Sequence, residues 1–214
     1  MPSYKLTCPI CKLEHEAPLF TVIDAGNDKE AREKLISGGF FEFVCPDCGY
    51  VTDLRYNCLY VDGDIRELIY IAASGDEPEK DAVRASEGIP FCASGDSLMR
   101  IVSTADELRE KLLIFENGLD DRLVEVCKGI AISQFPSDDD YYITDIKYDV
   151  ISEQELLRIK CSDDTEQYVL DFGGFYAEIY DSYAALMPPL RGSAFCRVDL
   201  EYAASLLMAA GDNE

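Results

Sequence analysis

The sequence predicts an α+β protein: an N-terminal β structure with one short helix, a central αα-hairpin, then an antiparallel β meander with C-terminal helices. Three observations predict it. Short apolar–polar alternations fill the chain up to about residue 75 and return after residue 140. Between them, two stretches carry apolar residues at helical spacing behind capping residues. Two turns of identical form, Cys8-Pro9-Ile10-Cys11 and Cys45-Pro46-Asp47-Cys48, punctuate the first β-rich stretch.

Taken in order, residues 4–8 and 13–23 read as strands on either side of the first cysteine turn. Asn27-Asp28 caps a helix from Lys29 to Ile36, and Gly38-Gly39 stops it. Phe41 and Phe43 alternate with Glu42 and Val44 as a strand leading into Cys45, so the second turn sits in a hairpin. Residues 51–60 and 65–73 give two more strands, joined at Asp62-Gly63-Asp64. Residues 74–97, rich in Gly, Ser, Asp and Glu, read as an exposed connection with one helical turn near 79–85. Thr104 and Glu107 form a capping box for a helix reaching Phe115, with Leu108, Leu112 and Phe115 as its stripe. Gly118 ends it. Asp120 caps the next helix, where Leu123, Val126, Cys127 and Ile130 repeat the pattern, giving each helix one apolar face.

Pro136-Ser137-Asp138-Asp139-Asp140 is the strongest boundary signal, setting residues 1–135 apart from a C-terminal extension or subdomain of residues 136–214 that either stands alone or packs on the αα-hairpin. Residues 142–151, 156–161 and 167–172 form the meander, and Gly173-Gly174 breaks its last strand. Helices follow at 176–186 and 199–210.

The cysteines carry the chemistry. Nine of them, an odd number, with no apolar secretory segment at the start, argue against a disulfide framework and for a cytoplasmic protein. Cys58, Cys92, Cys127, Cys161 and Cys196 stand singly and read as buried, inert thiols. The two pairs need another explanation. A tight turn with two residues between cysteines aims both sulfurs at one point, and two such turns supply the four thiolates of a closed tetrahedral zinc site. Proline after the first cysteine presets φ for the turn. Gly49 lets the chain leave the second turn at positive φ, whereas Lys12 in the first predicts a different closure. The 33 residues between Cys11 and Cys45 hold a strand and a helix of their own, a zinc-ribbon-like layout with one structural zinc. A redox dithiol is the rival for either pair alone. His15, between Glu14 and Glu16, reads as a solvated surface residue, although it lies close enough in sequence to stand in for a cysteine.

Composition narrows the partners. Lys+Arg number 19 against 42 Asp+Glu, a formal charge of −23, with 12 basic and 30 acidic residues beyond position 75. Such a surface repels nucleic acid and anionic membranes, and a protein partner is expected. Asp120, Asp121 and Arg122 are candidates for binding it, although both aspartates also suit the positive end of a helix. The Asp138–Asp140 run lacks the spacing of a calcium loop. No catalytic residues are assigned: the single histidine leaves Ser94 and Ser97 without a base, and no Lys-Ser/Thr follows Gly173-Gly174 as a phosphate loop needs.

With Ala31-Arg32-Glu33-Lys34-Leu35-Ile36-Ser37-Gly38 and Ile114-Phe115-Glu116-Asn117-Gly118-Leu119-Asp120-Asp121-Arg122, the paired turns resemble the bacterial CpXC domain over about residues 4–135. The resemblance implies a zinc-binding domain with Cys8, Cys11, Cys45 and Cys48 as ligands, and no established activity. Lys12 departs from it, standing where a glycine often does. The expected role is a zinc-locked ribbon that binds another protein. An acidic inhibitor or immunity-type protein for a basic partner is one alternative, and a thiol-redox enzyme using Cys-Pro-x-Cys is another.

Overall fold

In the computed structural model, which describes residues 3–136 and 140–211, β1 (Ser3–Thr7) pairs antiparallel with β2 (Glu14–Pro18) around the first cysteine turn. β3 (Val22–Asp24) leads to α1 (Lys29–Ser37). The Asp28 side chain accepts from the Ala31 backbone N–H, and Gly38 closes the helix at φ +88°. β4 (Glu42–Val44) and β5 (Val51–Asp53) form the hairpin around the second turn.

The main sheet is built from β6 (Cys58–Asp62), β7 (Glu67–Ile71) and β8 (Leu98–Val102), all buried along their whole length. β3 joins the sheet parallel to β6, and β8 runs parallel to β7, giving the order β12-β8-β7-β6-β3 with a short β12 (Cys196–Arg197). Parallel neighbours need crossover connections. The crossover from β3 to β6 therefore carries α1 and the whole β4–β5 hairpin. The one from β7 to β8 carries α2 (Pro78–Ala85). Leu59, Val61, Leu68, Tyr70, Met99 and Ile101 pack on one face, with Ala82 of α2 fully buried against them.

Here the structure departs from the sequence reading in two ways. Residues 74–97 are a crossover packed on the sheet, and β8 was not foreseen. Leu98-Met99-Arg100-Ile101-Val102 has no alternation, because both faces of the strand are covered and even Arg100 is buried.

By packing, the chain forms two compact units. One gathers the described residues up to Arg109 with Arg191–Cys196; the other holds Glu110–Leu190 and the described residues from Arg197 onward. The division between the units falls inside α3 (Ala105–Glu116); Ser137–Asp139 of the proline–aspartate segment lie outside the described residues.

The second unit contains α4 (Asp121–Gln134), the antiparallel meander β9 (Ile143–Ile151), β10 (Gln154–Cys161) and β11 (Glu166–Val169), then α5 (Phe172–Tyr183) and α6 (Leu200–Gly211). α4 packs against α5, α6 and β9 together. Its residues Asp121–Lys128 are consequently buried all round, where the sequence predicted a single apolar face. Gly173 and Gly174, expected to break the last strand, lie inside α5, the strand having ended at Val169: Asp171 caps the helix by accepting from Gly174 N–H, and an aspartate cap outweighs two glycines in the first turn. Among the described residues, no helix is long and apolar enough to cross a membrane.

Candidate metal centre

The two cysteine turns fold alike. In the first, the Lys12 N–H donates to the Cys8 carbonyl (3.0 Å) and the Cys8 N–H to the Leu13 carbonyl (3.0 Å). In the second, Gly49 donates to Cys45 (2.9 Å) and Cys45 to Tyr50 (2.8 Å). The expectation that Lys12 forces a different closure is corrected: Lys12 takes φ +64° beside Gly49 at +71°. A left-handed lysine costs about 1–2 kcal/mol, part of which a glycine would return as chain entropy. Lys12→Gly is therefore expected to raise stability by up to about 1 kcal/mol, read from denaturant unfolding of the first unit.

These turns bring four sulfurs together from opposite ends of a 33-residue insert. Cys8 Sγ lies 3.5 Å from Cys48 Sγ, and Cys11 Sγ lies 3.6 Å from Cys45 Sγ. All four fall within 4.8 Å of one another. A disulfide would need about 2.05 Å, so the thiols are free. Sulfurs about 2.3 Å from a shared tetrahedral centre stand about 3.8 Å apart, so the cluster fits a metal ion of that size. Cys8 and Cys45 are buried, Cys11 is half-buried and Cys48 is exposed.

Electrostatics favour a cation there. Burial opposes ionisation of Cys8, but the Cys11 and Ile10 backbone N–H groups and the Cys48 thiol outweigh it and bring its pKa down to about 6. Cys11 accepts from the Leu13 N–H, yet burial and the neighbouring sulfurs push it up to about 12. Cys48 is raised for the same reason. One negative charge is easily held, and further ones repel it.

His15 is placed differently from the sequence reading. Its side chain is only 10% exposed, its ring lies 5.8 Å from that of Phe43 on β4, and its Nε2 is 3.3 Å from Cys45 Sγ and 3.6 Å from Asp47 Oδ2. In a strand, flanking residues point to the opposite face, so Glu14 and Glu16 turn outward while His15 and Ala17 turn in. The alternation Glu-His-Glu-Ala was the signal.

Asp120, Asp121 and Arg122 start α4 as part of its cap and core. The Asp120 carboxylate accepts from the Arg122 backbone N–H and from its guanidinium, which also donates to the Pro188 carbonyl. Asp121 is fully buried and pairs with Lys111 at 3.1 Å. The segment thus presents little surface to a partner. Of the single cysteines, Cys58, Cys127 and Cys161 are buried as expected, with burial pushing Cys58 and Cys127 up to about 12. Cys92 is half-buried and Cys196 exposed, contrary to expectation.

An α+β chain whose two cysteine turns converge on one four-thiol cluster is a candidate metal-binding protein. The family model for CpXC protein matches residues 6–128, more than half of the chain, and takes in both turns, β8, α3 and the cap of α4. The chain belongs to the CpXC family. No curated protein and no solved structure matches it.

Proposed function

We propose that this protein is a cytoplasmic protein-interaction module whose N-terminal part is fastened by one structural zinc on Cys8, Cys11, Cys45 and Cys48. The four-sulfur cluster carries the reading. Four thiolates suit zinc by softness and geometry, fill its coordination shell and leave no position for substrate, which favours a structural role over a catalytic one. A redox dithiol needs one pair with its partner sulfur free to attack, whereas here each pair lies against the other. Reduced thiols in this number suit the cytoplasm.

The protein-binding part rests on what the turns hold outward. Ile10 (63% exposed), Leu13, Val44, Tyr50 and Val51 are exposed, and none lies more than three residues from a clustered cysteine. Val44 stands directly opposite Val51 on the outer face of the hairpin, beside Glu42 opposite Asp53. Like charges facing each other weaken a hairpin. A partner with basic and apolar side chains relieves both features, which also favours the acidic-inhibitor reading as the form the interaction takes.

Elemental analysis of purified protein is expected to give about one zinc per chain. Affinity capture from the native host is expected to retain a basic protein that a Val44→Lys/Val51→Lys variant loses while keeping its metal. Identical capture by both would overturn the interaction surface; absence of metal would overturn the zinc site.

A further inference from the structure

We propose that His15 is the fifth group of the metal centre, a reserve ligand that is interchangeable with Cys45 and with no other cysteine. The inference rests on the four-sulfur cluster being a metal site, and adds to it a residue outside the two cysteine turns.

The position of His15 is fixed by three neighbours. It sits on β2 opposite Leu6, turned inward by the strand's alternation, with Phe43 against its ring. Its Nε2 faces Cys45 Sγ at 3.3 Å, a hydrogen-bonding separation for sulfur, and the Asp47 carboxylate lies 3.6 Å from the same nitrogen. Cys45, Asp47 and His15 thus form a second group of ligating atoms that shares one sulfur with the first. A solvated histidine between two glutamates has no reason to be nine-tenths buried against a thiol.

The geometry assigns it two states. With four thiolates on the ion, Nε2 carries its proton and donates to Cys45 Sγ, spreading that sulfur's charge and holding its rotamer, as outer groups do at metal sites. When the Cys45 sulfur is missing, the same nitrogen stands 3.3 Å from the corner it vacates. Imidazole is a normal zinc ligand, and three thiolates with one imidazole are as regular a structural set as four thiolates. The change requires only that the ring proton move from Nε2 to Nδ1 through solvent, a change of tautomer that leaves the imidazole neutral. Among the described residues, Cys45 alone of the four cysteines has a histidine against it.

The test titrates Co2+ and Zn2+ into the full-length apo-protein and its variants. Cys45→Ser is expected to keep about one ion per chain with a tetrahedral cobalt spectrum. Its thiolate charge-transfer band should fall by about a quarter, and its affinity by about 10–100-fold. Cys8→Ser and the double variant Cys45→Ser/His15→Leu should each bind at least a further 100-fold more weakly. His15→Leu alone leaves all four sulfurs and should hold the ion with its charge-transfer band shifted to lower energy, which tests the hydrogen bond even if Cys45→Ser does not fold. Equal binding by Cys45→Ser and Cys8→Ser, or by Cys45→Ser and the double variant, would overturn the reserve role while leaving a metal-loaded wild type standing. An unshifted band in His15→Leu would overturn the hydrogen-bonded state. A wild type that holds no ion would overturn the metal site itself.

Discussion

Cys8→Ser is expected to abolish stoichiometric metal binding and to open the N-terminal hairpins to protease, the largest single-residue effect in the molecule. The β1–β2 and β4–β5 hairpins are separate two-stranded sheets, too small to be stable alone. Structural zinc contributes an apparent free energy of about 10–16 kcal/mol at neutral pH, comparable with a small domain's whole stability. Cys8 is nearly inaccessible, and no spare ligand lies against its sulfur among the described residues, so a serine there leaves three thiolates and an open corner. Strong chelators should mimic the substitution in the wild-type protein. Acid should do so too, because binding expels thiol protons and the competition shifts toward them as pH falls. Limited proteolysis with and without chelator, followed by mass spectrometry, reads the effect. Cutting confined to the hairpins, with the five-stranded sheet surviving, is the expected pattern. Unchanged protease resistance of Cys8→Ser or of the chelated protein would remove the metal from the stability of this fold.

The second large effect lies in the buried charges of the other unit. Lys111 on α3 reaches Asp121 at 3.1 Å, Glu125 at 3.2 Å and the Val198 carbonyl at 2.8 Å. Lys128 on α4 pairs with Glu110 at 2.7 Å and Glu125 at 3.0 Å, and Glu110 also accepts from the Tyr148 backbone N–H. All five of these residues are at most 5% exposed. Removing one partner of such a network strands its counter-charges away from water, which costs about 3–5 kcal/mol. Lys111→Met is expected to destabilise the unit by that amount. Lys34→Met, which breaks the exposed pair with Glu30, should cost less than about 1 kcal/mol. Denaturant unfolding of the two variants makes the comparison, and equal midpoints would count against the network.

The same network predicts a pH dependence. Burial alone would lower the Lys128 pKa, but Glu110 and Glu125 outweigh it and hold it above the ordinary 10.5. A raised lysine stabilises the fold fully below pH 10.5, and that contribution is lost as pH climbs through the folded-state value. Alkaline unfolding should therefore begin later in Lys128→Met than in the wild type once the two are matched for stability at neutral pH. Glu110 is raised by burial despite Lys128, so its contribution also belongs to the acidic side and fades as pH rises.

Much of this molecule could be read along the chain. The capping aspartates before α1 and α4, the Gly38 stop, the meander and the pairing of two Cys-Pro-x-Cys turns are all local patterns, set by neighbours within a few residues. What escaped was non-local. β8 went without an assignment because its partners arrive from elsewhere and cover both faces, and α4 looked one-sided because the elements that bury its other faces follow it in sequence. His15 looked solvated because its glutamate neighbours were weighed as surroundings, when strand geometry sends them to the other side.

The sequence by itself determined that four thiols come in two matched turns, and hence that a tetrahedral cation is the chemistry on offer. Only the tertiary structure decided that these turns meet, that a histidine stands behind one of the four sulfurs, and that Asp121 and Arg122 face inward. The physical reason is that a turn's shape depends on the dihedral preferences of a few adjacent residues. Burial and convergence depend on which distant surfaces fold over them.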